Sequence, residues 1–431
     1  MTFDPVWLTI TGHMITPRVQ IVSTAFGLCL FWIGSGGRLS AATGDQMIVQ
    51  SANEVTQPSV RRYQGPWGVL TVSDVALEPP LAKVQLEAWQ RPRAQWFFGG
   101  HDPATLTAFL VDAGMLPVWI TALTSTVEQV EGGVQVYPPD AMILRMASRV
   151  RERVYRELSR HRENGLYREP LWIPAADVAY WLDHRILSAD ALGCLNDLIY
   201  PNAGFWLLSD VDVLMRCMTG DEERRAILRI LLRHPSSEAT VALAPGQDVA
   251  TAIAYWRFPP GATEDTARVR LVWESSFRSG LPIPLAELLP IMPRMVLNRY
   301  VVEAEESFRD CHWTAMNFFN DRPVDFAASP ERLRDYLINH YQRVVSTPMF
   351  GDVVILRNEH DDVVHSFNYI AANKVFTKNG GDDDRPWTLM PMDEVVRMYS
   401  LSDPVEVHVF RRKDMMDPPD PPALNPAAGE V

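Results

Sequence analysis

The chain has four cysteines in 431 residues, and Cys311 directly follows an aspartate at the head of the segment CHWTAMNFFN. Trp313, Met316 and Phe319 recur there at helical spacing, which predicts a short helix with Cys311 in its first turn. Unpaired backbone N–H groups and the helix dipole at such a start favour a thiolate and lower the thiol pKa. A thiol nucleophile also needs a base within hydrogen-bond reach and a third group that fixes the tautomer of that base. Downstream, GDVVIL from Gly351, HSFNYI from His365 and KVFTKNG up to Asn379–Gly380 read as successive strands. A sheet carrying His365 on one strand and an amide at the end of the next would give Cys311 both partners. The candidate catalytic set is therefore Cys311, His365 and Asn379. Asp310, His312 and Trp313 form the candidate substrate-binding set, Asp310 also being placed to cap the helix. Asp382 to Asp384 lack the alternating spacing and terminal glutamate of a calcium loop, so no metal or other cofactor is expected.

These motifs resemble the catalytic module of the NlpC-type cysteine peptidases and amidases. The matching features are Asp310–Cys311 at a helix start, the Gly351–Asp352 strand, and His365 opening a strand that continues to Tyr369 and Ile370. The resemblance covers about the last quarter of the chain. It implies a papain-like α+β domain in which a Cys-bearing helix packs on an antiparallel sheet. It also implies cleavage of an amide bond through a cysteinyl acyl-enzyme, with peptidoglycan stem peptides or similar γ-linked peptides as substrate. The third catalytic position of that module falls two residues before Asn379, which makes Thr377 its rival; Asn379 is preferred because a fixed amide oxygen can accept an imidazole N–H. The Ser-Gly that usually follows the cysteine is His312–Trp313 here, which narrows the space beside the thiol.

The rest of the chain must position these groups. A formal net charge of −13 argues against nucleic-acid binding, whose phosphate contacts need clustered Lys and Arg. Residues 1–42 contain an apolar run, Ile21 to Ile33, followed by Ser40 and Ala42, and read as a secretory signal, with an uncleaved membrane anchor as the alternative and a buried core helix third. An extracytoplasmic location follows from that reading. Beyond it, residues 43–138 are expected to be a mixed α/β region, with a helix starting at Asp102–Pro103 and stopping at Gly114. Residues 139–300 are expected to be mainly helical with some strands, including one long amphipathic helix in DAMILRMASRVRERVYRELSRH with a solvated arginine face, a helix in AADVAYWLDH, and a strand in ARVRLVWES. Ser188, Ser209 and Asp221 stand where helix N-caps belong. The catalytic module spans 301–413, and a Pro-rich disordered tail spans 414–431. Cys194 and Cys217 read either as a disulfide pair or, the reading preferred, as small core hydrophobes. Two other functions stay open: a non-catalytic scaffold of the cell envelope, and an acyltransferase on the same module.

Overall fold

The computed structural model describes residues 60–174, 187–300, 309–324, 330–380, 385–401 and 404–416. The expected leader, the helix in 175–184, Asp382 to Asp384 and the part of the expected tail beyond Met416 lie outside the described residues; Asp414 to Met416, expected to be disordered, are instead ordered, with Met415 buried in the core. The protein is mixed α+β, and its sheets pair antiparallel throughout.

Strands Val60–Gly65 (β1) and Gly68–Leu77 (β2) form a hairpin whose turn requires Gly68, with φ at 105°. Next come Trp96–Gly99 (β3), helix Pro103–Asp112 (α1), Glu128–Val130 (β4) and Gly133–Val136 (β5), the strands pairing in the order β3-β5-β4. As expected, Asp102 caps α1 through a capping box with Thr105, and Gly114 follows its end at φ 85°. Helix Ser148–Leu158 (α2) is followed by Leu171–Pro174 (β6), Ala189–Leu198 (α3), Tyr200–Asn202 (β7), Phe205–Leu208 (β8), Val211–Cys217 (α4) and Asp221–Leu231 (α5). Strand His234–Ala242 (β9) then joins β2, and Ile283–Pro284 (β10) completes a sheet in the order β1-β2-β9-β10, with helices Val249–Tyr255 (α6) and Thr263–Ser279 (α7) between β9 and β10.

The last quarter supplies Cys311–Met316 (α8), Pro330–His340 (α9), Tyr341–Val344 (β11), Val353–Arg357 (β12), Val363–Ala371 (β13), Lys374–Lys378 (β14), Trp387–Pro391 (β15), Met392–Tyr399 (α10) and Glu406–Arg412 (β16). Its six strands pair in the order β11-β16-β12-β13-β14-β15.

Several sequence expectations are corrected. The long amphipathic helix is two, Asp140–Leu144 and α2, because the chain passes through an extended Ala147 between them. Within its arginine face, Arg151 is buried and donates to the carbonyls of Ile143 and Asp197. ARVRLVWES lies inside α7: Val269, Trp273 and Ser276 make a helical buried face, with acids in the first turn and a left-handed Gly280 at the end. The caps of α4 and α5 are Asp210 and Gly220, while Ser188 caps α3 as expected. Cys194 and Cys217 form a disulfide between α3 and α4, which leaves Cys311 as the free cysteine among the described residues.

The expected boundary at residue 300 does not separate two cores. One core runs from Val84 to Leu232. A second unites Leu70, Val241, Trp256 and Trp273 with Trp313, Phe318, Phe376 and Trp387, so the segments before and after the middle region pack onto the C-terminal sheet. The Ser236 hydroxyl, on β9, accepts from the Leu389 N–H on β15 at 2.9 Å, which ties the two sheets edge to edge.

Breaking the Cys194–Cys217 link removes a loop constraint on the unfolded chain. Chemical denaturation of a Cys194→Ala/Cys217→Ala variant is expected to show a loss of about 3 kcal/mol; an unchanged midpoint would mean that the link does not stabilise the fold.

Candidate active site

Helix α8 starts where the sequence predicts. Asp310 is its N-cap, and its carboxylate accepts from the Trp313 N–H at 2.8 Å, so this residue is committed to capping. The face of β13 that carries Ser366 and Asn368 holds the helix in place. The Asn368 amide donates to the Ala315 carbonyl at 3.1 Å, and the Ser366 hydroxyl donates to the Cys311 carbonyl at 3.4 Å. His312 Nδ1 and Ser366 Oγ share a hydrogen bond at 2.9 Å, fixing the half-buried imidazole beside the helix start. Trp313, expected to face substrate, is buried in the second core, with the Arg309 guanidinium 4.7 Å above its ring.

The Gly351–Asp352 element acts as a structural corner. Gly351 has φ 82°, and a Cβ there would stand 2.2 Å from Phe319 Cζ. Asp352, buried in the turn, accepts two bonds from the Arg411 guanidinium, at 2.9 and 2.8 Å, and one from the Met349 N–H. That corner fixes β12 and β16 next to β13.

The register of β13 with β14 pairs Asn368 with Phe376. Continued outward, it puts His365, Thr377 and Asn379 on one sheet face, opposite the Ser366–Asn368 face that seats α8, and His365 makes no hydrogen bond to Cys311. His365 Nε2–H donates to Thr377 Oγ1 at 2.9 Å, and the Thr377 hydroxyl donates to Asn379 Oδ1 at 3.1 Å. Asn379 Nδ2 points to Met390 Sδ at 3.2 Å, which holds its oxygen toward Thr377. The direct partner of the histidine is thus Thr377, and Asn379 acts one bond further away. The threonine intervenes because it lies deeper in the strand and is fully buried, whereas Asn379 stands past the strand end.

This chain of donors sets the tautomer. With Nε2 protonated, the other ring nitrogen carries a lone pair, and Nδ1 is buried without a hydrogen-bond partner in the protein. The Tyr399 ring, at the end of α10, stacks on the imidazole with centroids 3.9 Å apart and planes at 12°. The sequence reading missed Tyr399. Its signal was an aromatic residue on a C-terminal amphipathic helix, which alone reads as core.

Burial dominates the electrostatics. Loss of solvent pushes the Cys311 thiol up to about 12, with the nearby Asp310 carboxylate adding to the rise; the backbone N–H groups of Ser366, His312 and Cys311 itself oppose it. The expected helix-start thiolate is therefore a neutral thiol at rest. The helix has only six residues, and desolvation outweighs what its start can supply. His365 is held well below the usual imidazole range by burial and then by His312. Cys311 and His365 are both uncharged at neutral pH.

Among the described residues, no group of three or more His, Cys, Asp or Glu side chains could hold a metal ion, and no helix is long and apolar enough to cross a membrane. No family model matches the chain, and neither the curated proteins nor the solved structures give a match.

The depressed His365 pKa has a sign. The stability it contributes is present above the ordinary histidine value of about 6.5 and is lost as pH falls through that value, because the unfolded chain takes up a proton that the folded one resists. Denaturation midpoints should drop below about pH 6.5 and drop less steeply in His365→Gln. Equal slopes in the two proteins would contradict a buried, neutral His365.

Proposed function

We propose that the protein is a cysteine hydrolase of amide bonds whose C-terminal module is a papain-like, NlpC-type domain. The observation that carries this reading is the buried, unpartnered Nδ1 of His365, with Nε2 locked as a donor to Thr377. A polar atom left bare inside a protein costs of the order of 1–3 kcal/mol; Nδ1 makes no hydrogen bond to Cys311 at rest, so the reading requires the two groups to close on each other when substrate binds.

In this mechanism Cys311 attacks the substrate carbonyl as His365 Nδ1 takes the thiol proton. The new imidazolium keeps its Nε2–H on Thr377, whose hydroxyl is aimed by Asn379. The N–H groups around the start of α8 stabilise the carbonyl oxygen as it becomes an oxyanion. His365 then returns the proton to the leaving amine, and water attacks the thioester by the reverse path. Deprotonation accompanies attack because the resting pair is neutral. Peptides of the peptidoglycan stem type, or other γ-linked peptides, are the substrate class that the motif resemblance suggests. The Cys194–Cys217 disulfide supports an oxidising, extracytoplasmic location.

Acyl transfer to an amine instead of to water is the second reading. It is favoured by the burial of Cys311, which is 8% exposed, since a water-poor site prolongs the thioester.

Intact-mass analysis after incubation with α- and γ-linked peptides tests both readings. An acyl adduct on Cys311, absent in Cys311→Ala, is expected; free acid as product indicates hydrolysis, and a new amide indicates transfer. No adduct and no cleavage with any peptide would remove the catalytic reading. Turnover should fall about 10²- to 10⁴-fold in His365→Ala, the range of general base catalysis. Thr377→Val should lose more activity than Asn379→Ala, because the direct bond to the imidazole sets its tautomer; the opposite order would restore Asn379 as the primary partner.

A further inference from the structure

A cavity of about 380 Å³ has a wall that includes Arg91, Arg168, Arg233, Arg385, Glu169 and Trp172. It is formed jointly by the middle region and the C-terminal module. Two observations relate it to the C-terminal sheet. Trp172 lines it and also packs on the cluster that contains Phe367, Val364 and Tyr399. Arg385 lines it next to Gly380, the residue after Asn379, where a glycine Cβ would stand 3.3 Å from the Arg385 side chain. The charges of Arg385 and Glu169 also reach the Tyr399 hydroxyl from this wall.

The cavity is cationic on a chain whose net charge is −13. Arg233 is paired with Glu78, and Glu169 offsets one more arginine. Arg91 and Arg168 keep an excess of positive charge in the wall, with the indole of Trp172 beside them. Guanidinium groups around a concave space recognise carboxylate or phosphate oxygens through charge-assisted hydrogen bonds. An acidic protein that gathers arginines in one cleft concentrates anions there and repels them elsewhere.

We infer that this cavity binds an anionic group, carboxylate or phosphate, on the acyl-bearing or leaving portion of the substrate handled at Cys311. The inference rests on the hydrolytic reading for its substrate clause; the anion site itself stands on the cavity alone.

Two measurements on the full chain separate these parts. The first is titration of the Cys311→Ala protein with citrate and with pyrophosphate, followed by calorimetry and by the fluorescence of the wall tryptophans. Saturable binding is expected, weakened by salt and weakened about tenfold in Arg91→Gln or Arg168→Gln, the loss of one charge-assisted bond. Tighter citrate points to a carboxylate source, and tighter pyrophosphate to a phosphate source. Absence of saturable binding, or equal binding in the arginine variants, overturns the site. The second is the ratio of Cys311 alkylation by anionic iodoacetate to that by neutral iodoacetamide. The cavity should raise this ratio above that of a free thiol, and Arg168→Gln should lower it. A ratio insensitive to the variant overturns the substrate clause. A thiol inert to both reagents removes that clause and weakens the hydrolytic reading with it, while citrate or pyrophosphate binding would still establish the anion site.

Discussion

Desolvation of the Cys311–His365 region is the constraint on which the rest depends. A thiol pushed up to about 12 and an imidazole held down are both consequences of lost water, and they leave the two groups neutral. In water the same residues would exchange hydrogen bonds with solvent and no tautomer would be fixed. Here the one available partner on the ring's far side is Thr377, so one nitrogen is committed and the other is left bare. The stacked Tyr399 ring covers an imidazole face and adds to the exclusion of water. Both the neutral resting state and the free lone pair on Nδ1 follow from burial together with a single hydrogen-bond chain.

That burial needs more than the C-terminal quarter. Helix α10 carries Tyr399 and lies between two cores: Met398 packs on the core of the middle region as well as on the sheet cluster, and Arg397 reaches over the Phe205 ring. Trp172 belongs to the same pair of contacts from the other side. On the opposite face, residues 234–300 contribute Tyr255, whose hydroxyl donates to the Ile370 carbonyl on β13 at 2.8 Å. The large N-terminal portion thus braces the sheet from two sides.

Much of the C-terminal organisation was legible because its signals are local. The aspartate before Cys311 caps the helix, and the strands at Gly351, His365 and Lys374 are bounded by turn residues that chain chemistry dictates. What was not legible depends on distant contacts. Thr377 rather than Asn379 meets the histidine because of strand register and depth, which residue type does not reveal. Trp313 reads as a substrate platform in isolation but is claimed by a core that also draws in Leu70 and Val72, more than 240 residues earlier in the chain. The thiol charge was misjudged because a helix start is visible in sequence and desolvation is not. ARVRLVWES alternates well enough to read as a strand, and only its flanking acids and Gly280 betray a helix.

The most direct test of this account is the protonation state of each ring nitrogen of His365, read by ¹⁵N NMR of histidine-labelled protein with His365→Gln to assign the signal. The account predicts a neutral ring at neutral pH, with Nε2 protonated and Nδ1 bearing the shift of an unprotonated nitrogen. It also predicts that this state persists below the ordinary histidine pKa. An imidazolium at neutral pH, or a neutral ring protonated on Nδ1, would contradict it, since neither leaves a base to take the proton from Cys311.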